Sequence, residues 1–298
     1  MTDAPHRFGH VALLGRPNVG KSTLLNAILG TKLSIVTPKP QTTRHRILGI
    51  LSRPDAQLAF IDTPGLHQGG KHALNRQLNR VAQQVPGEAD VLVHVVDGLR
   101  WTDEDEAVWR LLAAQPAPRL LAINKVDKLA DKTALLPLAA ELTRARPYAG
   151  VHFIAARRGD GVPALLDDIT RRLPEGPAAY PEDEYTDRSE RFLAAEFVRE
   201  QLMLQLGAEL PYATAVEIER FEDAPGITRI GAVIWVERDS QKGIVIGAGG
   251  SRLKQVGSAA RRAMQQAFER RIHLELWVRV RESWSNDARA LKQFGYSE

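Results

Sequence analysis

The chain has 298 residues, of which 44% are apolar and 26% are charged, the composition of an ordinary globular protein with about two domains. It contains no cysteine, which excludes disulfides, thiolate zinc sites and cysteine nucleophiles. The 40 basic and 36 acidic residues leave a formal net charge of +4, which mildly favours an anionic partner. No segment is apolar over the length of a membrane span, and residues 1–10 lack the apolar stretch of a signal peptide, so we expect a cytoplasmic protein.

The first motif lies between an apolar strand predicted at residues 11–14 and a helix predicted over residues 22–29. It fits the phosphate-loop pattern G-x-x-x-x-G-K-[ST]. Backbone N–H groups, the helix N-terminus and the Lys21 ammonium would surround the phosphates, and the glycines would allow close approach. The stretch predicted to bind a nucleoside triphosphate is Gly15, Arg16, Pro17, Asn18, Val19, Gly20, Lys21, Ser22 and Thr23.

Strands and helices alternate over the first half of the chain, which predicts an α/β domain with a mainly parallel sheet covered on both faces. After a long polar loop at residues 33–46, a hairpin is predicted over residues 47–61. Further strands are predicted at 91–96, 119–123 and 151–155. Ligands of such sheets bind at the carboxyl ends of the strands, and each motif of this half lies at such an end.

The second motif, D-T-P-G, follows the second hairpin strand. Asp62 suits a magnesium ion held through water, and Gly65 leaves its N–H free to meet a γ-phosphate. The residues predicted to take part in nucleotide binding here are Asp62, Thr63, Pro64, Gly65 and the following Leu66.

The third motif, N-K-V-D, selects the base. The Asp127 carboxylate can accept hydrogen bonds from the N1–H and 2-amino groups of guanine, and adenine offers neither donor. Asn124 would tie this loop to the phosphate loop, and the stem of Lys125 would lie along the purine. We therefore predict a guanine-nucleotide site that includes Asn124, Lys125, Val126 and Asp127.

In order and spacing, the three motifs resemble the guanine-nucleotide-binding domain of Ras-like proteins. The resemblance implies a threonine that completes the magnesium shell beside Ser22 and Asp62; Thr42 and Thr43 are the candidates, and we favour Thr43. The last motif of the class, usually Ser-Ala-Lys-like, is replaced by Ala155, Ala156 and Arg157. The backbone N–H of Ala156 is still able to meet the guanine oxygen.

Leu66 occupies the position where Ras-like switches place the glutamine that orients the attacking water, so we expect slow intrinsic hydrolysis. In related GTPases an asparagine at the position of Asn18 holds a potassium ion that acts like an arginine finger. The alternative is that Asn18 only shapes the loop. The residues expected to act in catalysis are Asn18, Lys21, Thr43 and Gly65.

The chain changes character at residues 175–188, where prolines and acidic residues predict a linker between a GTP-binding domain (1–174) and a second domain (189–298). The second domain is predicted to contain helices at 191–206, 251–269 and 287–294, strands at 213–219, 229–236 and 272–280, and a short apolar strand at 244–246.

A second glycine loop, G-A-G-G, follows the short apolar strand and opens a basic helix. Residues 251–281 carry eight basic and two acidic side chains, an excess of +6, which favours a phosphodiester backbone as ligand. A dinucleotide-binding turn needs G-x-G-x-x-G, but residue 252 is arginine, although Glu282 could serve as the acid of such a fold. The residues predicted to contact RNA are Ile244, Ile246, Gly247, Ala248, Gly249, Gly250, Arg252, Leu253 and Lys254, and core packing is an equal alternative for the apolar ones.

The second half resembles an α+β KH domain of type II, which clamps about four nucleotides of single-stranded nucleic acid. A GTPase domain followed by a KH domain resembles the Era family, as do residues 41–46 (QTTRHR). The resemblance implies a monomeric switch that binds GTP or GDP with Mg²⁺, hydrolyses GTP and binds the 3′ end of small-subunit ribosomal RNA. It also implies a role in 30S assembly and 16S rRNA maturation, and peripheral association with an anionic membrane surface.

Two other functions stay open at this stage. One is a membrane-surface GTPase, although the helix at 251–269 has little apolar moment for insertion. The other is an RNA-binding scaffold that does not hydrolyse GTP, with the nucleotide as a structural ligand and Leu66 as the mark of lost hydrolysis.

Overall fold

The computed structural model describes residues 6–66, 73–98, 100–129, 131, 133–207 and 210–296. The chain divides into two compact units. The first comprises Met1–Ser34, Thr43–Gly69 and Leu78–Asp187. The second comprises Ile35–Thr42, Gly70–Gln77 and Arg188–Glu298.

The first half of the chain alternates strands with helices. Its elements are β1 (Arg7–Leu14), α1 (Lys21–Leu29), β2 (Ile47–Arg53), β3 (Ala56–Asp62), α2 (Ala73–Gln84), β4 (Val91–Asp97), α3 (Asp103–Ala113), β5 (Arg119–Asn124), α4 (Leu135–Ala145), β6 (Gly150–Phe153) and α5 (Val162–Arg172). The predicted hairpin and the three later strands of this half are confirmed, with ends shifted by a few residues.

Six strands form one sheet in the order β2-β3-β1-β4-β5-β6. Only β2 runs antiparallel to its neighbour, and the other pairs are parallel. The last four residues of β1 are apolar and at most 1% exposed, as expected of a central strand in a parallel sheet that is covered on both faces. Chain order reverses at β1, which lies between β3 and β4, so the ligand crevice of an open parallel sheet is expected at the end of β1.

The second unit is built mainly from the C-terminal part of the chain. Its elements are α6 (Glu190–Gln205), β7 (Ala215–Ala224), β8 (Ile227–Val236), α7 (Asp239–Ile246), α8 (Ser251–Ala267), β9 (Ile272–Val280) and α9 (Ala288–Gln293). The strands form a sheet in the order β7-β8-β9, in which β8 pairs antiparallel with β7 and parallel with β9. Helices α6 and α8 pack against each other, α6 also contacts β7, and α8 also contacts β9.

A short segment from early in the chain, Ile35–Thr42, also belongs to the second unit. The backbone N–H of Val36 donates to Glu200 Oε1 at 3.1 Å, and the Arg199 guanidinium donates to the carbonyl of Thr42 at 2.6 Å. Arg199 forms a buried ion pair with Glu196 at 2.6 Å. The segment is therefore fixed on helix α6 by charged groups that lie out of solvent.

The residues before the second glycine loop differ from the prediction, because residues 244–246 end helix α7 and are not a strand. The side chain of Gln241 accepts hydrogen bonds from the N–H groups of Glu237 and Arg238, which caps the start of this helix. Of the three apolar residues only Val245 is fully buried, and Ile244 is 48% exposed. One buried residue in three fits a helix face. A stretch of three residues is too short to tell the helical repeat from the two-residue repeat of a strand, so the sequence did not distinguish them.

Residues 175–187, which lie within the predicted linker, belong to the first unit. The N–H of Ile50 donates to the carbonyl of Tyr185, and the Thr186 hydroxyl donates to the carbonyl of Leu48. Strand β2 is an edge of the sheet, and its backbone groups need partners that this segment supplies. The domain boundaries at residues 174 and 189 stay a prediction.

Within the part of the chain that the structure describes, none of the helices combines the length and the apolar character that crossing a membrane requires.

Candidate functional site

The ends of four neighbouring strands bring the motifs of the first unit together. In the sheet register, Leu13 near the end of β1 pairs with Asp62 at the end of β3, and Asp97 pairs with Asn124 at the ends of β4 and β5. All of these positions lie at the carboxyl edge of parallel strands, where the sequence predicted the ligand.

The phosphate loop is fixed by contacts with its own backbone and with the N-K-V-D loop. Lys21 is 6% exposed, and its Nζ donates to the carbonyls of Gly15 at 2.9 Å and Arg16 at 3.1 Å. Asn124 Nδ2 donates to the carbonyl of Val19 at 2.8 Å, the tie between the two loops that the sequence predicted. A Cβ on Gly20 would lie 2.3 Å from Asn124 Nδ2, so this glycine is required by the tie itself.

Burial lowers the pKa of Lys21 to about 8. The nearby Arg16 also lowers it, while Asp62 and Asp105 oppose the shift. At neutral pH the ammonium is still mostly protonated, which is the charge state that phosphate binding needs.

Hydroxyl and carboxylate oxygens gather at the start of α1. Ser22 Oγ donates to Asp62 Oδ2 at 2.6 Å and lies 2.8 Å from Thr43 Oγ1. Ser34 Oγ also donates to Asp62 Oδ2, at 3.0 Å. Burial raises the pKa of Asp62, and its Oδ1 is buried with no hydrogen-bond partner among the described residues. Hard oxygen donors around an unsatisfied carboxylate oxygen fit Mg²⁺.

The two threonine candidates occupy different surroundings. Thr43 lies in the first unit beside Ser22, whereas Thr42 lies in the second. Thr42 Oγ1 contacts Thr37 Oγ1 at 2.6 Å and donates to the carbonyl of Lys39 at 2.7 Å. The structure therefore brings Thr43, but not Thr42, to the Ser22 and Asp62 oxygens.

The D-T-P-G turn rests directly on the phosphate loop. A Cβ on Gly65 would lie 2.7 Å from the backbone nitrogen of Pro17, so only glycine allows this approach. Thr63 Oγ1 donates to the carbonyl of Leu13 at 3.1 Å, which fixes the turn to β1. Leu66 is half-buried against an apolar cluster of the core that includes Ile50, so it is used in packing.

Two of the predicted base-recognition residues, Val126 and Asp127, line a cavity of about 590 Å³. Asp127 lines it together with Phe153 and Arg158, and Arg158 Nε lies 3.7 Å from Asp127 Oδ2. Asn124 Oδ1 accepts hydrogen bonds from the N–H groups of Lys125 at 2.7 Å and Ala156 at 3.0 Å. The Ala156 N–H that was expected to meet the guanine oxygen thus contacts Asn124 in this structure, and the exposed Arg157 follows it.

The second glycine loop has an open backbone at two of its three glycines. Gly249 and Gly250 have φ values of 57° and 77°, in the left-handed region, and a Cβ on either would meet nothing within 4 Å. Because helix α7 and not a strand precedes it, the loop does not fit a dinucleotide-binding turn.

The side chains predicted to contact RNA differ in exposure. Ile244 and Lys254 are exposed, and Ile246 and Leu253 are half-buried. Arg252 donates to the carbonyl of Ile244 at 2.8 Å, so it caps the end of α7.

Part of the predicted basic excess is neutralised by acids outside the counted window. Arg270 pairs with Glu190, and Arg279 pairs with Glu219. Arg261 and Arg262 on α8 are exposed. The positive charge that faces solvent is therefore carried largely by α8 and is smaller on β9 than the composition indicated.

Four further site residues were missed by sequence reasoning: Ser34, Asp97, Asp105 and Arg158. Asp97 ends a strand just as Asp62 does, and Thr102-x-x-Asp105 has the form of a helix capping box, so both left a local signal. Ser34 and Arg158 left none, because their contacts with Asp62 and Asp127 depend on the tertiary fold.

Comparison with known proteins agrees with this description. Residues 10–125 match the family described as 50S ribosome-binding GTPase, and residues 209–285 match the KH domain family. The fold and its two glycine loops define a P-loop GTPase with a mostly parallel sheet, followed by a C-terminal KH domain.

GTPase Era of Xanthomonas oryzae pv. oryzae (strain MAFF 311018) is 55% identical over 296 residues, 99% of each chain. GTPase Era of Stenotrophomonas maltophilia (strain K279a) is 53% identical over 292 residues, 98% of each chain. An Aquifex aeolicus Era variant bound to GDP and AlF4⁻ superposes with a TM-score of 0.95 at 38% identity, covering 98% of this chain and all of that one. A structure of Era with MgGDPNP and nucleotides 1506–1542 of 16S ribosomal RNA gives the same values. The chain belongs to the Era family of GTPases.

Proposed function

We propose that this protein is a GTP-controlled switch that binds single-stranded RNA at the 3′ end of the small-subunit ribosomal RNA and acts in assembly of the 30S subunit. The observation that carries the proposal is the related Era structure, which holds MgGDPNP and nucleotides 1506–1542 of 16S ribosomal RNA together. This chain has the residues for both ligands: a phosphate loop with Asp127 to select guanine, and a glycine loop at 247–250 in which the space beside Gly249 and Gly250 is open.

In the proposed GTP site, Lys21 binds the phosphates and Asp127 binds the guanine in the cavity that it lines. Ser22 and Thr43 would hold Mg²⁺ directly and Asp62 through water, with Gly65 placed to meet the γ-phosphate. The ion, when bound, neutralises charge on the phosphates. We expect Thr43→Ala to weaken Mg²⁺-dependent binding of a GTP analogue about tenfold or more. Thr42→Ala should bind like the unmodified protein, and equal losses in the two variants would contradict the assignment.

Hydrolysis is proposed to be slow, because Leu66 packs against the core and supplies no group to orient the attacking water. Asn18 is proposed to hold a K⁺ ion at the phosphate loop. It is exposed in the phosphate loop and has a φ of 63°, and its carbonyl accepts from Lys125 Nζ at 2.6 Å. The measurement is the GTP turnover rate in KCl and in NaCl at equal ionic strength. A faster rate in KCl that is lost in Asn18→Ala is expected, and equal rates would mean that Asn18 only shapes the loop.

The proposed RNA site is the open loop, whose backbone would approach the phosphodiester chain while Lys254 adds charge. We expect the double variant Gly249→Asp and Gly250→Asp to lose at least about tenfold in RNA affinity, because two carboxylates would face the phosphates. The measurement is filter binding of an oligonucleotide with the sequence of the 16S rRNA 3′ end, with a GTP analogue or GDP present.

The matched control replaces both glycines with Asn, which has the shape of Asp, no charge, and tolerance for the left-handed backbone. It should retain most of the affinity. Equal binding by the Asp and Asn variants would remove the loop from the proposed RNA site.

The comparisons favour neither the membrane-surface role nor the non-hydrolysing scaffold. Cytoplasmic location, monomeric state and peripheral membrane association stay predictions from the sequence and from the family resemblance. Flotation with anionic liposomes in the absence of RNA tests the membrane prediction, and light scattering tests the oligomeric state.

A further inference from the structure

The arginine inside the phosphate loop, Arg16, pairs with carboxylates of two other elements. Arg16 Nε donates to Asp105 Oδ2 at 3.1 Å, and its NH2 lies 4.0 Å from Asp97 Oδ2. The side chain is only 12% exposed. Arg16 is thus held by the carboxylates of Asp105 and Asp97.

Asp105 is buried at the start of helix α3, and one of its two carboxylate oxygens accepts most of its hydrogen bonds. Its Oδ2 accepts from the N–H of Thr102 at 3.0 Å, from Thr102 Oγ1 at 2.8 Å and from Arg16. Its Oδ1 is buried, and no described residue donates a hydrogen bond to it. A carboxylate with zero exposure depends strongly on Arg16, the cation that donates to it, because an unpaired buried charge is costly.

Asp97 connects a second cation to the same loop. Its Oδ2 accepts from Lys125 Nζ at 2.8 Å, and the same ammonium donates to the carbonyl of Asn18 at 2.6 Å. Two residues of the phosphate loop, Arg16 and Asn18, are therefore held from behind by a set of charges in which cations and carboxylates alternate: Asp105, Arg16, Asp97, Lys125.

This charge set reaches the phosphate-binding lysine through one peptide unit. Lys21 Nζ donates to the carbonyl of Arg16, so the backbone that the Arg16 side chain anchors also positions the ammonium. Arg16 and Asp105 also act on the pKa of Lys21 in opposite directions. Paired with each other, they hold the loop while their electrostatic effects on Lys21 oppose one another.

We infer that Arg16 and Asp105, supported by Asp97, are positioning residues of the nucleotide site. Their ion pair holds the phosphate loop open and Lys21 in place before a nucleotide arrives. The inference rests on the phosphate-loop assignment proposed above. It assigns Arg16 a role in binding of GDP and GTP alike, and no role in stabilising the transition state.

The test is Asp105→Asn, which keeps an oxygen to accept from Thr102 and removes the charge that pairs with Arg16. We expect the dissociation constant for a fluorescent GDP analogue and the KM for GTP to rise about tenfold, with kcat unchanged, because binding to ground and transition states weakens equally. Arg16→Ala should act similarly, Arg16→Lys should recover part of the loss, and the double variant should be no weaker than the worse single one.

The matched control is Thr102→Ala, which removes the other half of the capping box and leaves the Arg16 pair intact. It should lower the melting temperature, since a cap acts on helix stability, and leave the GDP affinity within about twofold. Asp105→Asn with unchanged GDP affinity, or a loss no larger than that of Thr102→Ala, would overturn the inference. So would Arg16→Ala with lower kcat and unchanged GDP affinity, the result expected of an arginine finger.

Failure of the proposed function gives a different result. If the unmodified protein does not bind GDP, or if Asp127→Asn binds it equally well, the guanine site itself is wrong. Normal binding that is sensitive to Asp127 but not to Asp105 contradicts only the positioning role.

Discussion

The two glycine loops of this protein each lead into a helix, but glycine is required for opposite reasons. In the phosphate loop, the space beside Gly20 is filled by Asn124, and a Cβ would lie 2.3 Å from its Nδ2. In the second loop, the space beside Gly249 and Gly250 is open, and only the left-handed backbone favours glycine. The first loop is held by protein on its far side, and the second is free for a ligand to approach.

The same contrast holds for the charges. Lys21 in the first loop is buried and has a lowered pKa, whereas Lys254, Arg261 and Arg262, on the helix that follows the second loop, are exposed. A site for a small, highly charged ligand is built from few buried groups with fixed positions. A site for a polymer backbone is built from many exposed charges with loose positions.

The largest effect that separates the loops is expected from Gly20→Ala. Its Cβ would collide with Asn124, and its φ of 106° is unfavourable for alanine. We expect at least about 100-fold loss of GDP affinity, a free energy of roughly 3 kcal/mol. The measurement is equilibrium titration with fluorescent GDP.

The control is Gly30→Ala at the other end of helix α1, where φ is 67° and no atom lies within 4 Å of the added Cβ. It should cost about 1 kcal/mol of stability and leave GDP affinity nearly unchanged. Comparable losses of GDP affinity at the two positions would show that backbone strain, and not the Asn124 tie, explains the first loop.

An effect of intermediate size is expected from pH. The folded pKa of Lys21 is lowered to about 8 from 10.5, so above pH 8 the free protein loses the proton that pairs with phosphate. GDP affinity, measured without Mg²⁺ from pH 7 to 9, should be flat below pH 8 and then fall with a slope approaching about tenfold per pH unit.

Lys21→Ala should bind GDP more weakly and show no such inflection. Folding stability changes with pH in the opposite direction. Between about pH 8 and 10.5 the unfolded lysine keeps its proton while the folded one has lost it, so the contribution of this group to the free energy of unfolding rises over that range. A GDP affinity that stays constant to pH 9 in the unmodified protein would contradict the assignment of Lys21.

The smallest effect is expected from Gly249→Ala. Alanine fits the open space, and the left-handed backbone should lower the free energy of unfolding by about 1 kcal/mol. RNA affinity should fall by no more than about threefold, since no phosphate-facing charge changes. Filter binding and thermal unfolding measure the two quantities. A loss as large as that of the double Asp variant would mean that the exact loop shape, and not its openness, governs RNA binding.

The sequence predicted the features that depend on local patterns. The phosphate loop between β1 and α1, the strand ends at Asp62 and Asn124, and the glycine loop before α8 all lie where their motifs indicated. In each case a short stretch carries both the element and the chemistry, so neighbouring residues are enough to identify them.

The features that it did not predict depend on distant partners or on too few residues. Helix α7 was assigned as a strand because residues 244–246 show no resolvable period. Arg16 and Asp105 are 89 residues apart, and only the fold brings them together. Residues 175–187 have the composition of a linker, but the open edge of β2 gives their backbone a place to bind.

The segment Ile35–Thr42 has a consequence for the making of the protein. Val36 and its partner Glu200 are separated by 164 residues, which takes roughly ten to thirty seconds to synthesise at about 5–20 residues per second. A nascent chain therefore carries its complete phosphate loop long before helix α6 exists to hold the segment that leads to Thr43. During translation the nucleotide site can be occupied while the polar loop at residues 33–46 is still unanchored. That loop is secured only when most of the protein has left the ribosome.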